Sequence, residues 1–147
     1  MKEGTCLTLV GKPGTGKSFL SCILYCALAE AGFLVSYESS LNFLKLLQEK
    51  KFESYSAFQS ALDAYKRIAL LIIDEVTEGT GKSGYLAEWE RQMLFNVIDT
   101  RYQYKLCTIV ISNRNKTDLI DRLGVPIVDR LSEKGMTLAF NWNSYRQ

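Results

Sequence analysis

Gly11-Lys12-Pro13-Gly14-Thr15-Gly16-Lys17-Ser18 meets the spacing G-x-x-x-x-G-K-[ST] at every required position. Residues of these types suit one task. Glycines let backbone N–H groups curl around an anion, and a helix opening at the end of the stretch adds unpaired donors and the positive end of its dipole. Lys17 and Ser18 then supply an ammonium and a hydroxyl. Such a loop cradles a nucleotide's phosphates. Lys17 is expected to reach the β- and γ-phosphates and Ser18 to ligate Mg²⁺, with Gly11, Pro13, Gly14, Thr15, Gly16 and Phe19 around the remainder. The flanks agree, because an apolar run (Leu7 to Val10) precedes the stretch and an apolar-periodic helix follows it. A plain glycine-rich turn is the weaker reading.

Two further candidates end apolar runs. Ala69-Leu70-Leu71-Ile72-Ile73 is followed by Asp74-Glu75, the acidic partner a phosphate loop requires. The first acid would hold Mg²⁺ through water, and the second would polarise the attacking water. Acids at a strand end are common by themselves; the upstream loop gives these their weight. Leu106 to Ile111 closes on Ser112-Asn113, where an amide could bond a γ-phosphate, orient water, or only cap the next turn.

The elements that must position these groups follow from the pattern of the chain. Strands are expected at Thr5 to Val10, Phe33 to Tyr37, Ala69 to Ile73, Leu106 to Ile111 and Gly135 to Trp142. Helices are expected from Lys17 to about Ala31 with Gly32 as cap, at Leu41 to Gln48, Tyr55 to Tyr65 and Tyr85 to Tyr102, then at Asp118 to Leu123 capped by Thr117, and finally from near Pro126 to Leu131. The first helix shows a broad apolar face of Phe19, Leu20, Ile23, Leu24, Ala27 and Leu28. Strands alternating with helices imply an α/β fold with a five-stranded parallel sheet between crossover helices. Val76 to Gly84 reads as a loop near the carboxyl ends of the strands, where such folds bind ligands. On the next helix Trp89 should be half core and Tyr85 accessible.

Composition bounds the rest. At 147 residues, 47% hydrophobic and 23% charged, the chain suits one α/β domain, read as 1–147. No apolar run approaches the roughly 20 residues of a membrane span, and no signal or transit peptide is visible, so a soluble, cytoplasmic protein is expected. Cys6, Cys22, Cys26 and Cys107 occur without a C-x-x-C pair and without any histidine; they read as small buried hydrophobes, with no metal implied beyond Mg²⁺. A net charge of +2 leaves the partner open. Between two helices, Lys50-Lys51-Phe52 reads as an elbow. It could meet a single strand of nucleic acid, with bases on the ring and phosphates on the lysines, or be a solvated turn with Phe52 tucked onto its own helix.

Together, GKPGTGKS at 11–18, LLIIDE at 70–75, VDRL at 128–131 and FNWNSYR at 140–146 resemble an AAA+ ATPase core. The resemblance is narrower still to the ATPase domain of the DnaC-type bacterial helicase loaders and their relatives, including the IstB transposition helpers. It spans roughly Thr5 to Arg146, and the terminal motif is its most family-specific piece. The resemblance implies ATP and Mg²⁺ as cofactors, no helical lid, and the following roles. Lys17 and Ser18 hold the phosphates and metal, Asp74 ligates the metal, Glu75 is the general base and Asn113 the γ-phosphate sensor. Arg130 is an arginine finger acting on a neighbouring subunit's nucleotide in a head-to-tail assembly, and Arg146 a second sensor in cis. It also implies single-stranded DNA contacts at Lys50, Lys51 and Phe52, and near Tyr85 and Trp89, and a replicative helicase as partner. Because the first strand starts so near Met1, the segment that grips the helicase is expected to be missing.

Three functions compete at this stage. One is a helicase loader on single-stranded DNA, another a transposition helper on duplex DNA. The third, a small-molecule phosphotransferase, lacks the arginine-rich lid that would shield a phosphoryl acceptor from water.

Overall fold

The computed structural model describes residues 5–133 and 135–145. Strands β1 (Cys6–Gly11), β2 (Val35–Ser39), β3 (Leu70–Asp74), β4 (Cys107–Ser112) and β5 (Gly135–Phe140) form one sheet in the order β2-β3-β4-β1-β5, every pair parallel. Helices α1 (Lys17–Glu30), α2 (Ser40–Glu53), α3 (Tyr55–Tyr65), α4 (Glu88–Gln103), α5 (Lys116–Leu123) and α6 (Val125–Glu133) connect them. This is the α/β architecture expected from the sequence.

A parallel sheet covered on both faces needs strands that are apolar throughout, and alternation sends successive residues to opposite sides. Leu9, Leu70, Ile72, Ile109 and Ile111 pack with Phe140 against Leu20, Leu24 and Leu28 of α1. Val10, Leu71, Ile73 and Val110 pack on the other side with Phe43, Leu47, Leu94, Ile98 and Ile127 from the remaining helices. One helix covers the first face, so only one side of α1 is buried. Phe19, Ile23 and Ala27 therefore lie on its outer surface, not in the core as the broad apolar face suggested, and Cys22 and Cys26 are exposed there. Cys6 is buried as expected and Cys107 is half-buried.

Other boundaries moved for local reasons. Lys50, Lys51 and Phe52 form the last turn of α2 and not an elbow. Leucine, lysine and glutamate carry the helix on, Lys50 pairs with Glu53 at 2.6 Å, and the break falls at Ser54, whose hydroxyl caps α3 by accepting from the Ala57 N–H. Phe52, 82% exposed, is not tucked against its helix. Asn115, not Thr117, caps α5, accepting from the Asp118 N–H at 2.9 Å. β2 begins at Val35, leaving Phe33 and Leu34 exposed, and β5 ends at Phe140, two residues short of Trp142.

Residues 85–87 belong to the preceding loop, and α4 starts at Glu88. The glycines of that loop have a steric purpose. A Cβ on Gly79 would sit 2.5 Å from both Glu90 Oε2 and Leu86 Cα. The close approach lets the buried Glu90 carboxylate accept from the Thr80 N–H and hydroxyl and from the Ala87 N–H. Arg122 ties the loop from the other side, donating to the Thr77 and Gly84 carbonyls with its guanidinium over the Tyr85 ring. At the opposite end of the sheet, buried Arg101 donates to the carbonyls of Tyr65, Ile68 and Cys107 and to the Thr108 hydroxyl. Burial holds its pKa down to about 10, so the cation is retained at neutral pH and locks the starts of β3 and β4 together.

Candidate functional site

Parallel register sets Val10 beside Ser112 and Ile73 beside Val110, so the residues that follow β1, β3 and β4 leave the sheet along one edge. They enclose a cleft of about 630 Å³ that brings together Pro13, Gly14, Gly16, Lys17, Ser18 and Phe19 with Asp74, Glu75 and Asn113. Gly11 and Thr15 complete the loop from behind. The Gly11 carbonyl accepts from Lys17, and the buried Thr15 hydroxyl donates to the Lys12 carbonyl at 2.8 Å.

The loop turns into α1 through Gly16, whose φ of 97° is a conformation that side-chain-bearing residues avoid. Lys17, nearly fully buried, donates through Nζ to the Gly11 and Lys12 carbonyls, both at 2.7 Å. These two carbonyls satisfy two of the three donors of the buried ammonium. An incoming phosphate offers a stronger acceptor at the same place.

Ser18 donates to Asp74 Oδ2 at 2.8 Å across the cleft. Asp74 Oδ1 accepts from the Glu75 N–H at 2.8 Å, and the Tyr37 hydroxyl makes a short hydrogen bond to Oδ2. Burial and that hydrogen bond push the Tyr37 phenol well above its usual range, so it remains a donor. An adjacent hydroxyl and carboxylate are hard oxygen ligands of the kind Mg²⁺ takes when substrate phosphates supply the others. The donor set fits that ion. Among the described residues no cluster of three or more acidic, cysteine or histidine side chains could cage a metal unaided.

Glu75 is exposed at the rim with φ 54°, a left-handed conformation that costs an L-residue about 1–2 kcal/mol. It lines the cleft together with Asp74 and with Asn113, which is also exposed. One anticipated residue is not part of this cleft. Arg130 lies on α6, where its Nε donates to Asp99 Oδ1 of α4 at 2.6 Å and its guanidinium stands over the Tyr102 ring at 5.0 Å. Arg146 falls outside the described residues.

The anticipated DNA contacts lie on the last turn of α2, in the loop before α4 and on the first turn of α4. Lys51 and Phe52 are exposed at the end of α2, and Lys50 is engaged with Glu53. Tyr85 is accessible but stacked by Arg122, and Trp89 is half-buried against the core. No helix among the described residues is long and apolar enough to cross a membrane.

Sequence reasoning missed Tyr37, whose one signal was an aromatic residue near the carboxyl end of an edge strand. It also gave no chemistry to Trp142 and Tyr145, although their motif stood out. The structure brings that tail onto the phosphate loop, where Tyr145 lines the cleft.

Comparison with known proteins agrees with this geometry. The replicative helicase loader DnaC of Escherichia coli (strain K12) is 26% identical over 137 residues, covering 92% of this chain and 54% of the relative. The insertion sequence IS21 putative ATP-binding protein of Pseudomonas aeruginosa is 30% identical over 145 residues, covering 94% of this chain and 51% of the relative. The chain spans about half the length of the curated relatives it matches. The crystal structure of the DnaC helicase loader superposes with a TM-score of 0.79 at 24% identity, over 94% of this chain and 79% of that one, so the two share a fold. The model of the IstB-like ATP binding proteins matches residues 1–147, and the chain belongs to that family.

Proposed function

We propose that this domain binds ATP with Mg²⁺ and hydrolyses it, slowly when alone and faster in a head-to-tail assembly on DNA. The observation that carries this reading is the Ser18–Asp74 pair at 2.8 Å, flanked by Lys17, Glu75 and Asn113 at one cleft. The N–H groups of the loop take the phosphate oxygens, and Lys17 exchanges its two carbonyls for the β- and γ-phosphates. Ser18 and Asp74 would hold Mg²⁺, which would supply neutralising charge to the phosphates. Glu75 takes a proton from water as it attacks the γ-phosphorus in line with the departing ADP oxygen, and Asn113 orients the γ-phosphate. Arg130 acts in trans. Its Nε is engaged by Asp99, which leaves the terminal nitrogens of the guanidinium to face a neighbour's γ-phosphate.

For the whole protein we favour delivery of a replicative helicase to single-stranded DNA, supported by the DnaC relatives and by exposed Lys51 and Phe52. The IS21 relative, at 30% identity, favours a second reading, an ATP-dependent transposition helper on duplex DNA. Phosphate release by the purified protein, measured with and without single-stranded and duplex DNA, tests the ATPase and separates the two. Stimulation by single strands together with capture of a replicative helicase by the full-length protein supports loading. Stimulation by duplex and capture of a transposase supports the second reading, and no release under any condition removes both.

A further inference from the structure

The segment after β5 turns back onto the phosphate loop. The indole Nε1 of Trp142 donates to the Thr15 carbonyl at 3.0 Å, and the backbone N–H of Tyr145 donates to the Gly14 carbonyl at 2.9 Å. The strap has a firm footing, because the Trp142 ring leans on buried Phe140 with centroids 4.8 Å apart. Those two carbonyls belong to the peptide units 14–15 and 15–16, neither of which is cis. In a trans peptide the C=O and N–H point in opposite directions, so fixing the oxygens also fixes the Thr15 and Gly16 N–H groups, two donors of the anion cradle.

The same strap carries Tyr145 to the cleft, where its ring, 75% exposed, lines the wall together with Phe19, 72% exposed. Lys17, Ser18, Asp74 and Asn113 account for the charged part of a nucleotide. What remains is a flat, weakly polar base, and Tyr145 and Phe19 are the aromatic rings that line this cleft. We propose that Tyr145 stacks on the nucleobase, with Phe19 as a second apolar wall, so that the strap both tethers the phosphate loop and seats the base. This rests on the nucleotide-binding reading above.

Calorimetric titration with MgATP and, separately, with magnesium tripolyphosphate tests it, because tripolyphosphate has the anionic chain without the base. Tyr145→Ala should weaken ATP binding about tenfold or more while leaving tripolyphosphate within about twofold. Tyr145→Phe, which keeps the ring, should bind both like the wild type. Trp142→Phe, which removes the indole donor, should weaken both ligands by the same factor. Unchanged ATP affinity in Tyr145→Ala overturns the base seat, as does an equal loss for both ligands. A wild-type protein that binds tripolyphosphate as tightly as ATP overturns the seat but leaves phosphate recognition standing. One that binds neither overturns the nucleotide reading as well.

Discussion

Replacing Glu75 with glycine should make the protein more stable while removing its hydrolytic activity. Residue 75 has φ 54°, which costs a side-chain-bearing residue about 1–2 kcal/mol. Glycine adopts that conformation freely but gives back about 0.5–1 kcal/mol through the entropy of the unfolded chain. At mid-range values of about 1.5 and about 0.75 kcal/mol the net gain is about 0.75 kcal/mol, which for a chain of this size raises the melting midpoint by about 1.5–3 °C. Little else is lost. The hydrogen bonds at this position run through the backbone, from the Glu75 N–H to Asp74 Oδ1 at 2.8 Å and from the Glu78 N–H to the Glu75 carbonyl at 2.9 Å, and glycine keeps both. Removing a carboxylate next to Asp74 also relieves repulsion, so Glu75→Ala, which removes the charge but keeps the Cβ, is the control. Urea unfolding without nucleotide should rank Glu75→Gly above Glu75→Ala by about 1 kcal/mol. Phosphate release should fall about 10²- to 10⁴-fold in both, as expected for loss of a general base. If the glycine variant is no more stable than the alanine variant, the backbone there is unstrained and the idea of a base held in a costly posture fails.

The remaining predictions concern groups around the cleft. Tyr37→Phe removes a donor from Asp74 and should raise the Mg²⁺ concentration for half-maximal hydrolysis about tenfold, as loss of a residue behind a metal ligand commonly does; an unchanged Mg²⁺ titration would show that the phenol does not steer the carboxylate. Arg130→Ala should leave ATP affinity intact and depress assembly-stimulated turnover by about 10³-fold or more. Asp99→Ala, which frees Nε of Arg130 and disorders its fork, should lower the same stimulated rate by a smaller factor with no change in KM, whereas equal stimulated rates in both variants and wild type would argue against a finger in trans. Gly79→Ala forces a methyl against Glu90 and Leu86 and should cost about 1–3 kcal/mol, read by urea unfolding, with the protease sensitivity of residues 77–87 increased.

Much of the fold was legible because its central strands, β1, β3 and β4, are largely buried and so are written as mostly apolar runs. The phosphate loop and Asp74-Glu75 were legible because each follows such a run, and the parallel register then brought them together. What misled was one-sided. The apolar residues of α1 marked one broad face, yet only the stripe of Leu20, Leu24 and Leu28 meets the sheet, so Ile23 and Cys22, the latter read as a buried hydrophobe, lie on the surface. Lys50-Lys51-Phe52 read as an elbow because charge suggested a turn, yet these are adequate helix formers, and Ser54 was the true punctuation. Long-range hydrogen bonds leave no local trace. Tyr37 meets Asp74 across neighbouring strands, and Trp142 reaches Thr15 across 127 positions, so neither partnership has a spacing to read. Arg101 has no spacing that marks it as an internal brace, because its four acceptors lie on Tyr65, Ile68, Cys107 and Thr108.

Calorimetric titration of MgATP into the wild-type protein and into Lys17→Ala tests the central claim most directly. The account predicts saturable binding at one site in the wild type, weakened about 10- to 100-fold in the variant, since charge-assisted bonds to phosphate are lost while the fold, checked by thermal unfolding, is retained. Equal affinity in the two proteins, or no binding to the folded wild type, would contradict it.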